Sequence, residues 1–234
     1  MPANNQITSF LNDKGASFIR FVNLQSLNSQ QTQGYSSAIL FGIALGAVYI
    51  KKVAKNTSYV AQMIKTKTVK QDEFHNTEIY TDKLADELSI LLQEAGYSSF
   101  SQSEANLSKA GLYNSTTQTT PLPHKTLAVM AGLGWIGKNS LLITPEYGCA
   151  ISMCSVLTSA PLNTGTFDLE PSQCGTCTIC QKICCTRALK GRTWNTATKR
   201  DQLIDIHHCT TCLQCLVRCP YTKAYSMRHT SLKL

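Results

Sequence analysis

Apolar positions along the first 160 residues change period several times, and the changes mark out elements. Ile7, Phe10 and Leu11 fall at helical spacing before Gly15 punctuates the chain. Phe18, Ile19, Phe21 and Val22 predict a short strand over 17–22, and Ala38–Leu45 reads as a buried strand. A helix is expected from Val48 to about Lys65 with Val53, Val60 and Ile64 facing the core, then a polar loop or helix end through Asn76. The clearest helix is Thr77–Ala95, where Leu84, Leu88, Leu91, Leu92 and Ala95 share a face and Gly96 is placed to terminate it. Tyr97–Phe100 reads as a strand, Ser101–Pro123 as a long polar loop, and Pro123–Met130 as a short helix. Ser140–Thr144 and Cys149–Thr158 read as strands joined by a Pro145–Gly148 turn. The longest apolar run, Ala38–Ile50, is thirteen residues, short of the ~20 that a bilayer needs, so no membrane span is expected.

The last sixty-odd residues follow a different logic. Cys174, Cys177, Cys180 and Cys184 form one run, and Cys209, Cys212, Cys215 and Cys219, followed by Pro220, repeat its spacing. A cysteine at every third position of a tight loop offers three thiolates to a cubane of iron and sulfide, and the fourth must come from elsewhere. In the two-cluster pattern each run's fourth cysteine ligates the other run's cluster. This assigns Cys174, Cys177, Cys180 and Cys219 to one 4Fe-4S cluster, and Cys209, Cys212, Cys215 and Cys184 to a second. Zinc sites pair two cysteines with a distant second pair or with histidines and fit the repeat poorly. Disulfides would need an oxidising compartment, and nothing around Met1–Gln6 resembles a secretory signal. A cytoplasmic protein is expected. The class that follows is α+β: an α/β domain over 1–165 and a small ferredoxin-like domain with two 4Fe-4S clusters over 166–234, joined through the Pro/Asn/Thr/Gly stretch Ala160–Ser172.

Composition changes this picture little. A hydrophobic fraction of 43% supports a real core, and the formal charge of +8 counts cysteine as neutral. Eight thiolates with two oxidised cluster cores bring the loaded protein to about +4, so nucleic-acid binding is not expected from charge. Cys149, Cys154 and Cys185 are left over; the first two read as core thiols on strands, the third as packing beside a cluster. His207 and His208 precede the second run, where four cysteines already suffice.

Gly132-x-Gly134-x-x-Gly137 matches a dinucleotide fingerprint as a string, but a helix precedes it and no suitable acid lies ~20 positions on. As a phosphate loop it fails at Asn139, where Ser or Thr should hold magnesium. The glycines still let backbone approach a large ligand, with Trp135 as a ring and Lys138 as a charge. The stretch Ala131–Ile143, then Pro145-Glu146-Tyr147-Gly148, then the double cysteine run, resembles the epoxyqueuosine reductase family, which is related to reductive dehalogenases. That resemblance implies a cobalamin-binding α/β domain with the cofactor base-off near Gly132, Gly134, Trp135, Gly137, Lys138 and Asn139. It also implies electrons arriving from a ferredoxin or flavodoxin, and a reductase whose cofactor carries the chemistry.

Departures from the family narrow the expectation. The family's acidic proton donor corresponds to Gln118, counted back from Pro121, and glutamine cannot serve as a general acid. His124, read as a surface residue titrating near neutrality, is the nearest substitute. The sequence ends at Leu234 without the helical-repeat extension of the tRNA-modifying members, so reduction of epoxyqueuosine in tRNA is not expected. The expected function is that of a cobalamin-dependent reductase on an unidentified substrate. A non-catalytic electron carrier serving a partner protein or its corrinoid is the alternative, and a homodimer is compatible with either.

Overall fold

The computed structural model describes residues 4–165 and 167–230. Helix α1 (Asn4–Asp13) leads into strand β1 (Phe18–Asn23), the single turn α2 (Ser29–Thr32) and strand β2 (Ser37–Ala44). Helices α3 (Ala47–Lys55), α4 (Tyr59–Lys65) and α5 (Glu73–Glu94) follow, then β3 (Ser99–Ser101), α6 (Glu104–Lys109) and α7 (His124–Met130). Two short strands, β4 (Trp135–Ile136) and β5 (Leu142–Ile143), precede the longer β6 (Ile151–Thr158). Among the cysteine runs lie α8 (Ile179–Ile183), α9 (Gln214–Val217) and α10 (Pro220–Thr230). The class is mixed α+β, as the alternation of periods predicts.

Spatial contact divides the chain differently from a linear split at residue 165. Met1–Ala44, Thr77–Gly132 and Ser152–Asp168 make one compact unit; Leu45–Asn76, Leu133–Ile151 and Leu169–Leu234 make the other. Each unit is therefore assembled from three stretches of sequence.

The first unit is built on a four-stranded sheet in the order β1-β2-β6-β3, with β1 antiparallel to β2 and β3 antiparallel to β6. Every residue from Ser37 to Gly42 is buried, which requires cover on both faces of β2. Ile39 and Phe41 enter a core with Ile7 and Leu11 of α1, Leu84, Leu88 and Leu92 of α5, and Cys154 and Val156 of β6. Helix α7 packs against β1 and β2. The helical period of α5 places its leucines on the core face, but the helix begins at Glu73, and Ala95, beyond its end, is exposed. The polar loop expected over Ser101–Pro123 contains α6. Its first turn is held by acids of α5 some twenty residues earlier: Asp82 accepts from the Glu104 amide at 2.8 Å, and Asp86 from Ser103 at 2.8 Å and Asn106 at 2.9 Å. No local pattern signals that tether.

In the second unit the helix expected over Val48–Lys65 is broken in two. The Asn56 side chain accepts from the Ser58 amide at 3.0 Å, an Asx turn that competes with helix continuation, and Ile64 ends 59% exposed rather than in the core. Helix α3 buries Tyr49, Ile50 and Val53, and packs against α9 and α10. The carbonyls at its C-terminal end have partners: Gln214 Nε2 donates to Val53 O at 3.0 Å and Arg218 Nη2 to Ala54 O at 2.6 Å. Tyr49 donates its hydroxyl to the buried Asp72 carboxylate, 2.9 and 3.1 Å from its oxygens, and burial followed by that bond pushes the phenol upward. Among the described residues no helix is long and apolar enough to cross a membrane.

Candidate functional site

The second unit gathers the cysteines in crossed sets. The thiols whose charges act on Cys180 are Cys174, Cys177 and Cys219, and one cavity is lined by these four residues. The thiols acting on Cys215 are Cys212, Cys209, Cys180 and Cys184, so the third and fourth cysteines of the first run both lie near the second run. Contact between α8 and α9 makes the crossing, because each short helix carries one run's third cysteine. Among the described residues no group of three or more His, Cys, Asp or Glu is placed to hold a single metal ion. The four cysteines of the first set line one cavity. A cubane takes one thiolate at each of four corners.

The electrostatics of the thiols fit the same group. Burial, then the neighbouring thiols, pushes Cys180 up to about 11 and Cys215 up to about 12. A cationic iron centre relieves both costs at once. Burial also raises Cys184, but bonds from the Thr186 hydroxyl and the amides of Leu189, Ala188 and Thr186 outweigh it, and its thiol is lowered. Cys219 is drawn down to about 6, first by a hydrogen bond from the Cys149 thiol and then by backbone bonds at Tyr221 and Thr222. Two of the eight predicted ligands are thus poised toward thiolate by their surroundings.

Residues singled out from the glycine loop serve this constellation directly. Lys138 Nζ donates to Gly175 O at 2.6 Å and to Cys177 O at 3.2 Å, bracing the first cysteine loop and bringing a cation beside its thiolates. Asn139 Nδ2 donates to Cys149 Sγ at 3.2 Å and to Cys215 O at 3.3 Å, tying the loop to the second run. Trp135 is only 1% exposed and meets Tyr221 edge-on, ring centroids 5.0 Å apart. Gly134, at φ +151°, lies against the Ile143 carbonyl where a Cβ would collide, and Gly137 against the Ile143 side chain. Gly132, at φ +62°, ends α7. These side chains face the cysteine runs or the core.

Cys149 was expected as a plain core thiol. It is buried, but its neighbours are Cys219, Asn139 and the Thr222 hydroxyl, and its own thiol is pushed well up, first by the Cys219 bond and then by burial. Nothing in the cysteine spacing signals this, because Cys149 lies outside both runs. Cys154 is a core residue of the first unit that bonds Asp82. Cys185 is exposed; His207 and His208 are exposed as well, with His208 Nδ1 2.8 Å from Asp205.

Gln118 is exposed, in the left-handed conformation at φ +49°. His124 is not the freely titrating surface residue expected from sequence. Its Nδ1 lies 2.9 Å from Ser155 Oγ, which donates to Gln102 Oε1 at 2.8 Å, while Gln102 Nε2 donates to Leu122 O at 3.0 Å. With the serine proton committed to Gln102, the imidazole carries its proton on Nδ1 and leaves Nε2 as an acceptor. Burial lowers its pKa from 6.5 to about 4, so it is neutral at pH 7 and is not an imidazolium acid there. Because the folded value is depressed, the unfolded chain takes the proton first as pH falls. The contribution is intact above 6.5 and is lost on the way to about 4. Between about pH 7.5 and 5 this residue is expected to cost the protein about 2 kcal/mol. Urea unfolding of wild type and His124→Gln across that window checks it; parallel curves for the two proteins would refute it.

No family model matches the chain. Over 71 residues it is 48% identical to an epoxyqueuosine reductase of Gloeobacter violaceus, covering 30% of this chain and 22% of that protein. Over 130 residues it is 35% identical to an epoxyqueuosine reductase of Listeria monocytogenes, covering 47% and 32%. The chain therefore spans under a third of the length of these curated relatives. Among solved structures it matches an epoxyqueuosine reductase from Bacillus subtilis with TM-score 0.58 at 15% identity, over 95% of this chain and 66% of that one. It matches a reductive dehalogenase described in terms of B12-dependent dehalogenation with TM-score 0.59 at 16% identity, over 80% and 26%. In sequence over part of its length, and in fold over most of it, this chain is similar to the epoxyqueuosine reductases, and in fold to the reductive dehalogenases as well.

Proposed function

We propose that this chain is an iron–sulfur oxidoreductase that carries electrons through two 4Fe-4S clusters to a corrinoid and acts as a reductase on a substrate still to be identified. The observation that carries the reading is the crossed gathering of thiols, Cys174, Cys177, Cys180 with Cys219 and Cys209, Cys212, Cys215 with Cys184. The clusters supply one-electron transfer. The chain's own part is to hold and tune them. Lys138 offsets negative charge at the first set, Asn139 links the two loops, and Ile143, Ile179, Pro220 and Tyr221 line the first cavity.

The corrinoid rests on likeness to proteins of this fold and on the glycine-loop sequence. Within the loop, Trp135 Nε1 is buried without a partner among the described residues and is a polar atom left for a ligand. A second reading, an electron carrier without its own substrate, gains support from Gln118 and from a neutral His124, which together leave the expected proton donor unfilled.

Anaerobic reconstitution with iron and sulfide, addition of hydroxocobalamin and desalting test the proposal. About eight irons with a retained base-off corrinoid spectrum support the reductase. The same iron with no corrinoid selects the carrier, and zinc in place of iron removes both.

A further inference from the structure

Cys149 belongs to neither cysteine run, yet its surroundings are more specific than those of a packing residue. It and Asn139 are both buried. The Asn139 amide is fixed at both ends: its Oδ1 accepts from the Leu141 amide at 3.2 Å, and its Nδ2 donates to Cys149 Sγ at 3.2 Å and to Cys215 O at 3.3 Å. The bond from Leu141 settles which end of the amide is nitrogen. Cys149 Sγ is therefore an acceptor toward Asn139, and its own proton points elsewhere. The backbone pins the thiol as well. Cys149 N donates to the fully buried Thr222 Oγ1 at 2.9 Å, in the first turn of α10, where Lys223 N donates to Cys219 O at 2.9 Å.

So held, the Cys149 thiol is hydrogen-bonded to the sulfur of Cys219, which lines the first cavity with Cys174, Cys177 and Cys180. A thiolate that ligates iron carries no proton, so the proton of this bond belongs to Cys149. Donation then runs one way, from Asn139 to Cys149 to Cys219. Cys154 makes the contrast: it is equally buried, in the first unit, and spends its bond on the Asp82 carboxylate. A hydrogen bond to a ligating sulfur strengthens as that sulfur gains negative charge. It favours the reduced cluster over the oxidised one and raises the reduction potential.

We propose that Cys149 is a positioning residue whose S–H, oriented by Asn139, donates to the Cys219 sulfur and raises the potential of the cluster held by Cys174, Cys177, Cys180 and Cys219. The inference rests on the two-cluster reading. When this cluster is reduced by dithionite, one electron arrives and the proton stays on Cys149; no bond is made or broken. The backbone bonds that Cys219 receives at Tyr221 and Thr222 do not involve the Cys149 side chain, so its contribution can be read separately.

The test is a dithionite redox titration of the reconstituted protein at one pH, followed by electron paramagnetic resonance, with iron content measured on each sample. Wild type is compared with Cys149→Ala, Cys149→Ser and the buried-thiol control Cys154→Ala. In Cys149→Ala one of the two potentials is expected to fall by at least about threefold in the reduction equilibrium, about 28 mV at about 59 mV per tenfold for one electron. The other potential stays within about 1.5-fold, about 10 mV, as do both potentials of Cys154→Ala. Cys149→Ser, which keeps a donor on the same carbon, recovers at least about half of the shift. Wild-type potentials in a Cys149→Ala protein holding about eight irons would overturn the proposal and leave the clusters standing. A Ser variant shifted as far as the Ala variant, or both variants stripped of the first cluster, would overturn it in favour of a packing role. Absence of iron–sulfur signals in wild type would overturn it together with the two-cluster reading.

Discussion

Replacing Cys219 by alanine is expected to halve the iron content, from about eight to about four, and the iron lost is that of the first run. In linear order Cys219 belongs with Cys209, Cys212 and Cys215. In space it lines a cavity with Cys174, Cys177 and Cys180. Double substitutions separate the two wirings. Cys174→Ala with Cys219→Ala removes two ligands from one cluster in the crossed arrangement, and about four irons remain. Cys209→Ala with Cys219→Ala removes one ligand from each, and little iron remains. A linear arrangement reverses the two results. Iron analysis and electron paramagnetic resonance of the reduced proteins read the outcome, with circular dichroism confirming that each variant is folded.

Gly148→Ala is expected to destabilise the protein by about 2–5 kcal/mol and to release iron from the first set. Gly148 sits at φ +60°, and a Cβ there would run into the backbone of Tyr221 and Thr222. The left-handed conformation costs a non-glycine residue about 1–2 kcal/mol, and forcing atoms into a packed site adds about 1–3 kcal/mol. Any shift relieving the clash moves Thr222, whose hydroxyl accepts from the Cys149 amide at 2.9 Å, and with it Cys219 three residues earlier. Gly96→Ala is the control: φ is +87° there and nothing lies within 4 Å, so only the conformational cost, about 1 kcal/mol, is expected. Chemical unfolding of the two loaded variants measures the contrast, and equal losses would show that the Thr222 contact carries no weight.

Much of the architecture was legible from one-dimensional patterns because those patterns are local. The leucines of α5, the buried run of β2 and the Pro145–Gly148 turn each reflect periodicity or backbone preference within a few residues. The cysteine repeat is a local signal of the same kind, and the structure brings Cys174, Cys177, Cys180 and Cys219 around one cavity. Where local signals competed, tertiary context decided: an Asx turn at Asn56 ended α3, and acids on α5 anchored α6 in a stretch with little apolar pattern.

Sequence by itself determined which residues stand out as candidates for redox chemistry, eight cysteines in two runs and a glycine loop carrying Trp135, Lys138 and Asn139. It did not determine what those loop side chains face. Lys138 and Asn139 reach carbonyls of the cysteine runs 37 to 76 positions away. His124 loses its neutral-range titration to burial beside Ser155 on a strand 31 residues later. Cys149 becomes the partner of Cys219 only because the Gly148 turn meets the first turn of α10. Spacing sets what a loop can offer; desolvation and long-range hydrogen bonds, which exist only once the chain has folded, set what each group does with the offer.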